Sequence, residues 1–468
     1  MAIIDAYASI KFLHNAYRSG SLSPVQVVAS HRSREERLEG KLKAYVTRYS
    51  EEAHQQAKEA EQQFASMQEA PPLTGILIAL KDLVDIEGRI TSGGSPERRN
   101  RISASTAIIA QRLMGAGAII SGKTHTVEMA TGGWGTNEHL GTPWNPWDLE
   151  IPRTPGGSSS GSGVAVAAGY CPGAIGTDSG GSVRLPAAWC GLVGLKVTEG
   201  VLPVEGIMPL SSTLDTPGPM TRSIDDALIM FEVLRGSDHS EVNTQLKETS
   251  GVFAAIREPV DGLVLAILPQ DERNGIDPEV LAAYDKAVAC LVGLGARTID
   301  KAVPKAWDGY TTDMIQRIMF YEGYRFNREI LDNKNAVVDP WVKQRLISGR
   351  DKYTDDIYQT ALTQRLYDHA EFQHAFKDVD AILTPSIPTA AIPLNKVDQL
   401  GSPSRFTRAA NYLGLCSLTV PNGLTQESLP TGLMITCHSK QEITALRIGK
   451  AYEAANKWKD QHPGGLDC

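Results

Sequence analysis

The 468-residue chain is expected to fold as an α/β protein, a large sheet covered by helices on both faces, and two observations carry that expectation. Short apolar runs without polar alternation recur along it: ILIAL (76–80), AII (118–120), AIG (174–176), LVLAIL (263–268), AILTPS (381–386), LTV (418–420) and LMIT (433–436). Strands buried on both faces read this way. Between them lie helical periods: Ala53, Ala57, Ala60, Phe64 and Met67 step by three and four residues, as do the apolar positions of 277–296. Strand runs alternating with helical periods predict a sheet with helices packed on it.

A hydrophobic content of 42% is enough for a sizeable core, and no repeat, low-complexity tail or linker divides the chain. One domain over 1–468 with an inserted helical layer is therefore the expected organisation. Charged residues make up 21% with a net charge of −8, which disfavours binding to nucleic acid. The opening MAIIDAYASIKFLHNAYRSG is interrupted by polar residues, unlike a signal peptide, and no later run has the length of a membrane span, so a soluble cytoplasmic protein is expected. Cys171, Cys190, Cys290, Cys416, Cys437 and Cys468 form no CxxC pair, which fits reduced thiols better than disulfides or a zinc site.

Glycine and proline concentrate between residues 131 and 219, whereas about 220–380 reads as amphipathic helices. Backbone shape thus matters most in the glycine-rich third. In GGSSSGSG (156–163), Gly156 and Gly161 have the opening spacing of a phosphate-binding loop, but Ser162 stands where a lysine must reach the phosphates. Residues 157–161 also satisfy a G-x-S-x-G elbow centred on Ser159, which calls for a later histidine. His239, His369, His374 and His438 lack the setting of a catalytic loop, and His369 and His374 are wrongly spaced for two metal ligands on one helical face. Cys190, in the apolar AAWCGLVG, reads as a small buried hydrophobe.

Lys81 follows ILIAL directly, so it projects from the end of a buried strand. Ligands bind at the carboxyl ends of strands in open α/β sheets, and a desolvated lysine there has a lowered pKa and can act as a base. An ion pair with Asp82 or Asp85 is the competing reading. Further on, GTDSGGSVRLPAAWCG (176–191) sets Gly180 and Gly181 directly before Ser182. Successive amides unencumbered by side chains can turn towards one point, as an oxyanion hole requires. The flanking Asp178 and Arg184 can pair and hold the loop.

With these residues in view, the chain resembles the amidase signature family of serine amidohydrolases. The likeness rests on LIALKDLVDIEG around Lys81, NPWD (145–148), PGGSSSGSGVAVAAG (155–169), GTDSGGSVRLPAAWCGLVGLK (176–196), LDTPGPMTRS and ANYLGLCSLTVPNG, in the family's order. The resemblance implies a large mixed sheet covered by helices on both faces, with a signature core over about 72–225, an inserted helical layer over about 270–380, and C-terminal strands and a helix over about 380–460. It also implies a Ser-cisSer-Lys triad, with Ser182 as nucleophile, Ser158 as bridging serine after a cis Gly157–Ser158 bond, and Lys81 as base. Ser179, Gly180, Gly181 and Ser182 itself are the candidate oxyanion donors through their N–H groups. Ser159, Ser160 and Ser162 are left to cap the helix that follows. His125, Trp189 and Val197 depart from the commoner family text and are expected near the pocket wall.

The implied activity is hydrolysis of a linear carbon–nitrogen bond in a small-molecule amide through an acyl-enzyme, with no cofactor and no metal; a homodimer is admissible. Met129, Trp134 and the aromatic stretch Phe320, Tyr321, Tyr324 and Phe326 are candidate pocket walls, core packing being the competing reading of such a row. One alternative is the catalytic A subunit of a glutamine-dependent tRNA amidotransferase. Another is an inactive binding protein of the same fold, which the intact Lys81, Ser158 and Ser182 argue against.

Overall fold

The computed structural model describes residues 4–66, 69–302, 309–456 and 458–466; Met67 and Cys468 lie outside them. Among the described residues, one sheet contains β1 (Tyr45–Arg48), β2 (Leu77–Lys81), β3 (Ile119–Thr124), β4 (Gly173–Asp178), β5 (Val193–Lys196), β6 (Thr216–Thr221), β7 (Val264–Ile267), β8 (Arg297–Asp300), β9 (Ala381–Pro385), β10 (Cys416–Leu424) and β11 (Pro430–Cys437). Their order is β1-β3-β2-β4-β6-β5-β10-β11-β9-β7-β8. Parallel pairing joins β2 to β3 and β4, and β7 to β8 and β9; the other ladders are antiparallel. The sheet is thus mixed, and helices lie on both of its faces.

Each of the seven apolar runs falls in a strand. Four strands carry no such run. β6 reads TPGPMT, and its two prolines mark a loop by composition, yet it is buried between β4 and β5 and registers with β4 from Asp178↔Thr216 to Gly173↔Thr221. Proline lacks the N–H of a central strand, so only the tertiary setting makes this segment one. β1 and β8 are short edge strands with mostly half-exposed or exposed residues, and β5 is four residues long.

The two helical periods fold as Ser50–Ser66 and Pro278–Gly293. The second begins at Pro278 behind Asp277, whose carboxylate accepts from Glu279 N–H at 2.9 Å, a helix start in which proline gives up no needed donor. Its Val280, Tyr284, Ala287 and Leu291 are buried on the sheet, and the Tyr284 hydroxyl donates to Leu383 O at 3.0 Å in β9. Removing such side chains from water contributes roughly 1.5–3 kcal/mol each. The helices Gly309–Asp332, Pro340–Asp351 and Asp355–Ala375 follow, and Met314, Ile315, Ile318, Phe372 and Phe376 form a separate apolar cluster there. Lys81 ends β2 and Asp178 ends its parallel neighbour β4, so the two strands deliver their last residues to one place.

Candidate active site

Lys81 is fully buried, and its Nζ lies 2.8 Å from Ser158 Oγ and 2.8 Å from Thr177 Oγ1. The ion pair with Asp82 or Asp85 does not form. Successive residues at a strand end point to opposite faces, and Asp82 instead meets Lys123 at 3.8 Å and the Ser92 amide at 3.0 Å. Asp85 receives Arg101 at 2.7 and 2.9 Å. Burial pushes Lys81 from 10.5 down to about 7, against the charges of Asp215 and Asp178, which favour its protonated form. A large share of the amine is therefore neutral near pH 7.

The loop that brings Ser158 depends on its glycines. Gly156 has φ +80°. A Cβ on Gly157 would sit 2.6 Å from Gly135 N and 2.7 Å from Gly135 Cα, so no side chain fits there. The Gly157–Ser158 peptide is cis, as the resemblance implies, and Ser158 is fully buried. The helix Ser160–Ala167 follows, but its serines do not cap it. The Ser159 hydroxyl donates to Thr177 O at 3.3 Å and accepts from Thr177 N–H at 3.2 Å. Ser160 Oγ donates to His125 O at 3.4 Å and Ser162 Oγ to Ile175 O at 3.0 Å. Because these hydroxyls are wholly buried between the helix and β4, they satisfy neighbouring carbonyls instead of the helix start. That arrangement also removes Ser159 from the elbow role.

Asp178 and Arg184 pair as expected, at 3.0 Å from both Nε and Nη2, and both are fully buried. The same carboxylate accepts from Gly181 N–H at 2.7 Å, Val183 N–H at 3.1 Å and Asn411 Nδ2 at 3.0 Å. Burial alone would raise Asp178, but Arg184 overrides it and holds the carboxyl well below the usual range. The Gly181 amide, expected to face an oxyanion, is thus turned onto Asp178, because a carboxylate this deep needs every donor within reach. Gly181 has φ +133°, and a Cβ there would collide with Thr407 Oγ1, which itself donates to Gly180 O at 2.7 Å. Ser179 donates to Asp215, whose other oxygen accepts from Leu210 N–H at 2.8 Å and Ser211 N–H at 3.0 Å. Asp178→Asn is expected to lower stability by about 3–5 kcal/mol, because Arg184 would keep a buried charge without its partner; urea unfolding against wild type measures this.

Ser182 O accepts from Ser159 N–H at 3.3 Å, which ties the two serine loops together. Ser182, Ser179 and Gly180 border a cavity of about 280 Å³, small-molecule in scale. Of the expected wall residues Phe320 borders it, whereas Met129, Trp134, Tyr321, Tyr324 and Phe326 do not. Met129 packs into an apolar cluster with Leu83 and Val127, while the adjacent Ala130 borders the cavity. Trp134 stacks on Trp189 at 5.5 Å. Tyr321 stacks on Tyr358 at 4.1 Å and donates to Asp355 at 2.7 Å, whereas Met319 and Phe320, on the other side of the helix, face the cavity. Tyr324 is packed in the same cluster as Met129, and Phe326 is exposed. His125, Trp189 and Val197 are buried away from the cavity wall. A helical row of aromatics presents one face to any pocket, and periodicity alone does not say which.

Thr177, Asp215, Thr407 and Asn411 were not singled out by sequence reasoning, although all four sit inside or beside the blocks that carry the resemblance. Cys190 is buried, its Sγ 3.4 Å from Pro155 O, and burial pushes its thiol up, in keeping with a small hydrophobe. The His369 ring lies 2.7 Å from Leu413 O and the His438 ring 2.9 Å from Gln373 Oε1, both in structural contacts. Among the described residues, no helix is long and apolar enough to cross a membrane.

The sequence profile described as Amidase matches residues 26–446. The chain is similar to the A subunit of the glutamyl-tRNA(Gln) amidotransferase of Syntrophus aciditrophicus, 33% identical over 470 residues, covering 95% of this chain and 96% of that one. It is also similar to the protein of the same name from Geobacter metallireducens, 33% identical over 483 residues, covering 97% and 99%. Among solved structures, the native peptide amidase from Stenotrophomonas maltophilia superposes with a TM-score of 0.82 at 25% identity, covering 98% of this chain and 99% of that one. With the profile running through β2, both serine loops and the closing strands, the chain belongs to the amidase family.

Proposed function

We propose that the protein hydrolyses a small amide through an acyl-enzyme on Ser182, with Ser158 relaying the proton and Lys81 as the base. The observation that carries this reading is the 2.8 Å contact of Lys81 Nζ with Ser158 Oγ at a lysine brought down to about 7. As Ser182 Oγ bonds to the carbonyl carbon, its proton passes to Ser158 and the proton of Ser158 passes to neutral Lys81. The amides of Ser179, Gly180 and Ser182 are the candidate donors to the oxyanion, the Gly181 amide being engaged by Asp178. When the carbon–nitrogen bond breaks, the leaving nitrogen takes the proton back along the same path, and water then repeats the sequence on the ester.

The pH dependence follows from the base. Protonated Lys81 accepts nothing, so kcat/KM rises with pH through about 7 and levels off above it; a profile that peaks in acid would reject Lys81. Asp215, which burial lifts to about 6, favours the protonated lysine. Asp215→Asn is therefore expected to move the rising limb to lower pH.

A second reading is that of an amidotransferase A subunit, supported by the curated relatives that carry that name at 33% identity. It expects the isolated chain to be poorly active on simple amides and to copurify with other subunits. The hydrolytic reading expects ammonia release from the chain alone. Free thiols at Cys171, Cys190, Cys290, Cys416 and Cys437 support a reducing, cytoplasmic setting for either.

A further inference from the structure

We propose that the substrate carries an ionised carboxylate, held by Arg408 and Arg345 on the cavity wall that faces Ser182; this rests on the hydrolytic reading and names its substrate class. Arg408 opens the short helix Arg408–Tyr412, and its Cγ lies 3.9 Å from where a side chain on Gly180 would begin. Its guanidinium donates to Thr312 Oγ1 at 2.8 Å and to Ser402 Oγ at 2.6 Å. Arg345, on the helix Pro340–Asp351, donates to Thr131 O at 3.2 Å and to Gln399 O. Every one of these partners is neutral.

Both arginines border the cavity, and among the described residues no carboxylate pairs with either, nor does any Asp or Glu border the cavity. Asp339, whose charge acts on Arg345, is engaged at the start of its helix by the Trp341 and Val342 amides at 2.9 and 3.2 Å. Other guanidiniums of the chain meet carboxylates, Arg184 with Asp178, Arg101 with Asp85 and Arg153 with Asp148, while the buried Arg222, away from the cavity, is held by the carbonyls of Val166 and Cys171. Burial, and after it the charge of Arg345, pushes Arg408 down to about 10, so the two cations repel one another. The exposed Lys352 adds a third positive charge to the cavity lining, in a protein whose net charge is −8.

Two sheltered like charges with only neutral partners are costly until an anion arrives, and planar guanidiniums match a carboxylate in particular. The same lining holds no carboxylate to pair with an ammonium group. A monoamide of a dicarboxylic acid fits on both counts, and an amino-acid amide such as glutamine fits on one only.

The test compares kcat/KM for glutaramate, for 5-methylhexanamide, in which an isopropyl group replaces the carboxylate, and for glutamine, which differs from glutaramate by its ammonium group. Wild type is expected to prefer glutaramate over both. Arg408→Met is expected to cut the ratio of glutaramate to 5-methylhexanamide by about ten- to a hundredfold, with Arg408→Lys restoring part of it; a merely structural role would lower both substrates together. Should Arg408→Met not fold, glutarate is expected to slow fluorophosphonate labelling of Ser182 in wild type while its neutral counterpart does not. A wild-type enzyme that labels at Ser182 but turns over the neutral amide as well as the acid overturns the carboxylate proposal alone. Absence of labelling at Ser182 overturns the hydrolytic reading beneath it.

Discussion

Alanine at position 182 is expected to abolish amide turnover, lowering kcat by about 10⁴- to 10⁶-fold, the range seen when the nucleophile of an acyl-enzyme mechanism is removed. Without Ser182 Oγ no ester forms, and neither the relay nor the oxyanion donors can substitute for the missing bond. The loop around it should persist: its shape is set by the Asp178 carboxylate on the Gly181 and Val183 amides and by Thr407 on Gly180 O, none of which uses the Ser182 hydroxyl. The variant should therefore melt as wild type does, bind substrate, and take up no fluorophosphonate. Ser159→Ala is the informative control. The Ser159 hydroxyl serves the Thr177 backbone, so activity should survive its loss in a way an elbow nucleophile would not permit.

How much of this was legible in the sequence differs by the kind of force involved. Buried strands such as β2 and β4 announce themselves because desolvating an unbroken apolar run is a local property. β6 does not, because a proline-bearing segment becomes a central strand only through its neighbours β4 and β5. Lys81 was readable as a charge at an expensive position, and strand geometry removes the ion-pair reading: Asp82 and Asp85 are drawn to Lys123 and Arg101, leaving Lys81 with two hydroxyls. Gly180 and Gly181 were readable as amides able to converge. That one of them would be captured by Asp178 depends on how deeply the carboxylate sits, which spacing does not encode. The cavity wall was least legible, since Met129 and Ala130, or Phe320 and Tyr321, are neighbours in sequence and differ only in which way the backbone turns them. Arg345 and Arg408, distant in the chain, acquire meaning only together.

Lys81→Met is expected to separate catalysis from stability. Methionine keeps most of the apolar stem and removes the amine, so proton transfer from Ser182 through Ser158 has no terminus, and kcat/KM should fall by about 10²- to 10⁴-fold, the range general-base catalysis supplies. Stability should move the other way. Folding lowers the Lys81 pKa from 10.5 to about 7, so between those values the unfolded chain binds more protons and wild-type stability rises with pH; below about 7 the buried ammonium costs its full amount. Methionine carries no such cost. The variant should therefore gain most over wild type at and below neutral pH, by an amount on the order of a few kcal/mol. That gain is offset by roughly 1–3 kcal/mol where Ser158 and Thr177 lose their partner, and it shrinks towards pH 10. Urea unfolding of both proteins at pH 6 and pH 9.5 measures the difference. Equal stability gaps at the two pH values would mean that Lys81 is no more easily deprotonated in the fold than in water, and the base assignment would lose its physical ground.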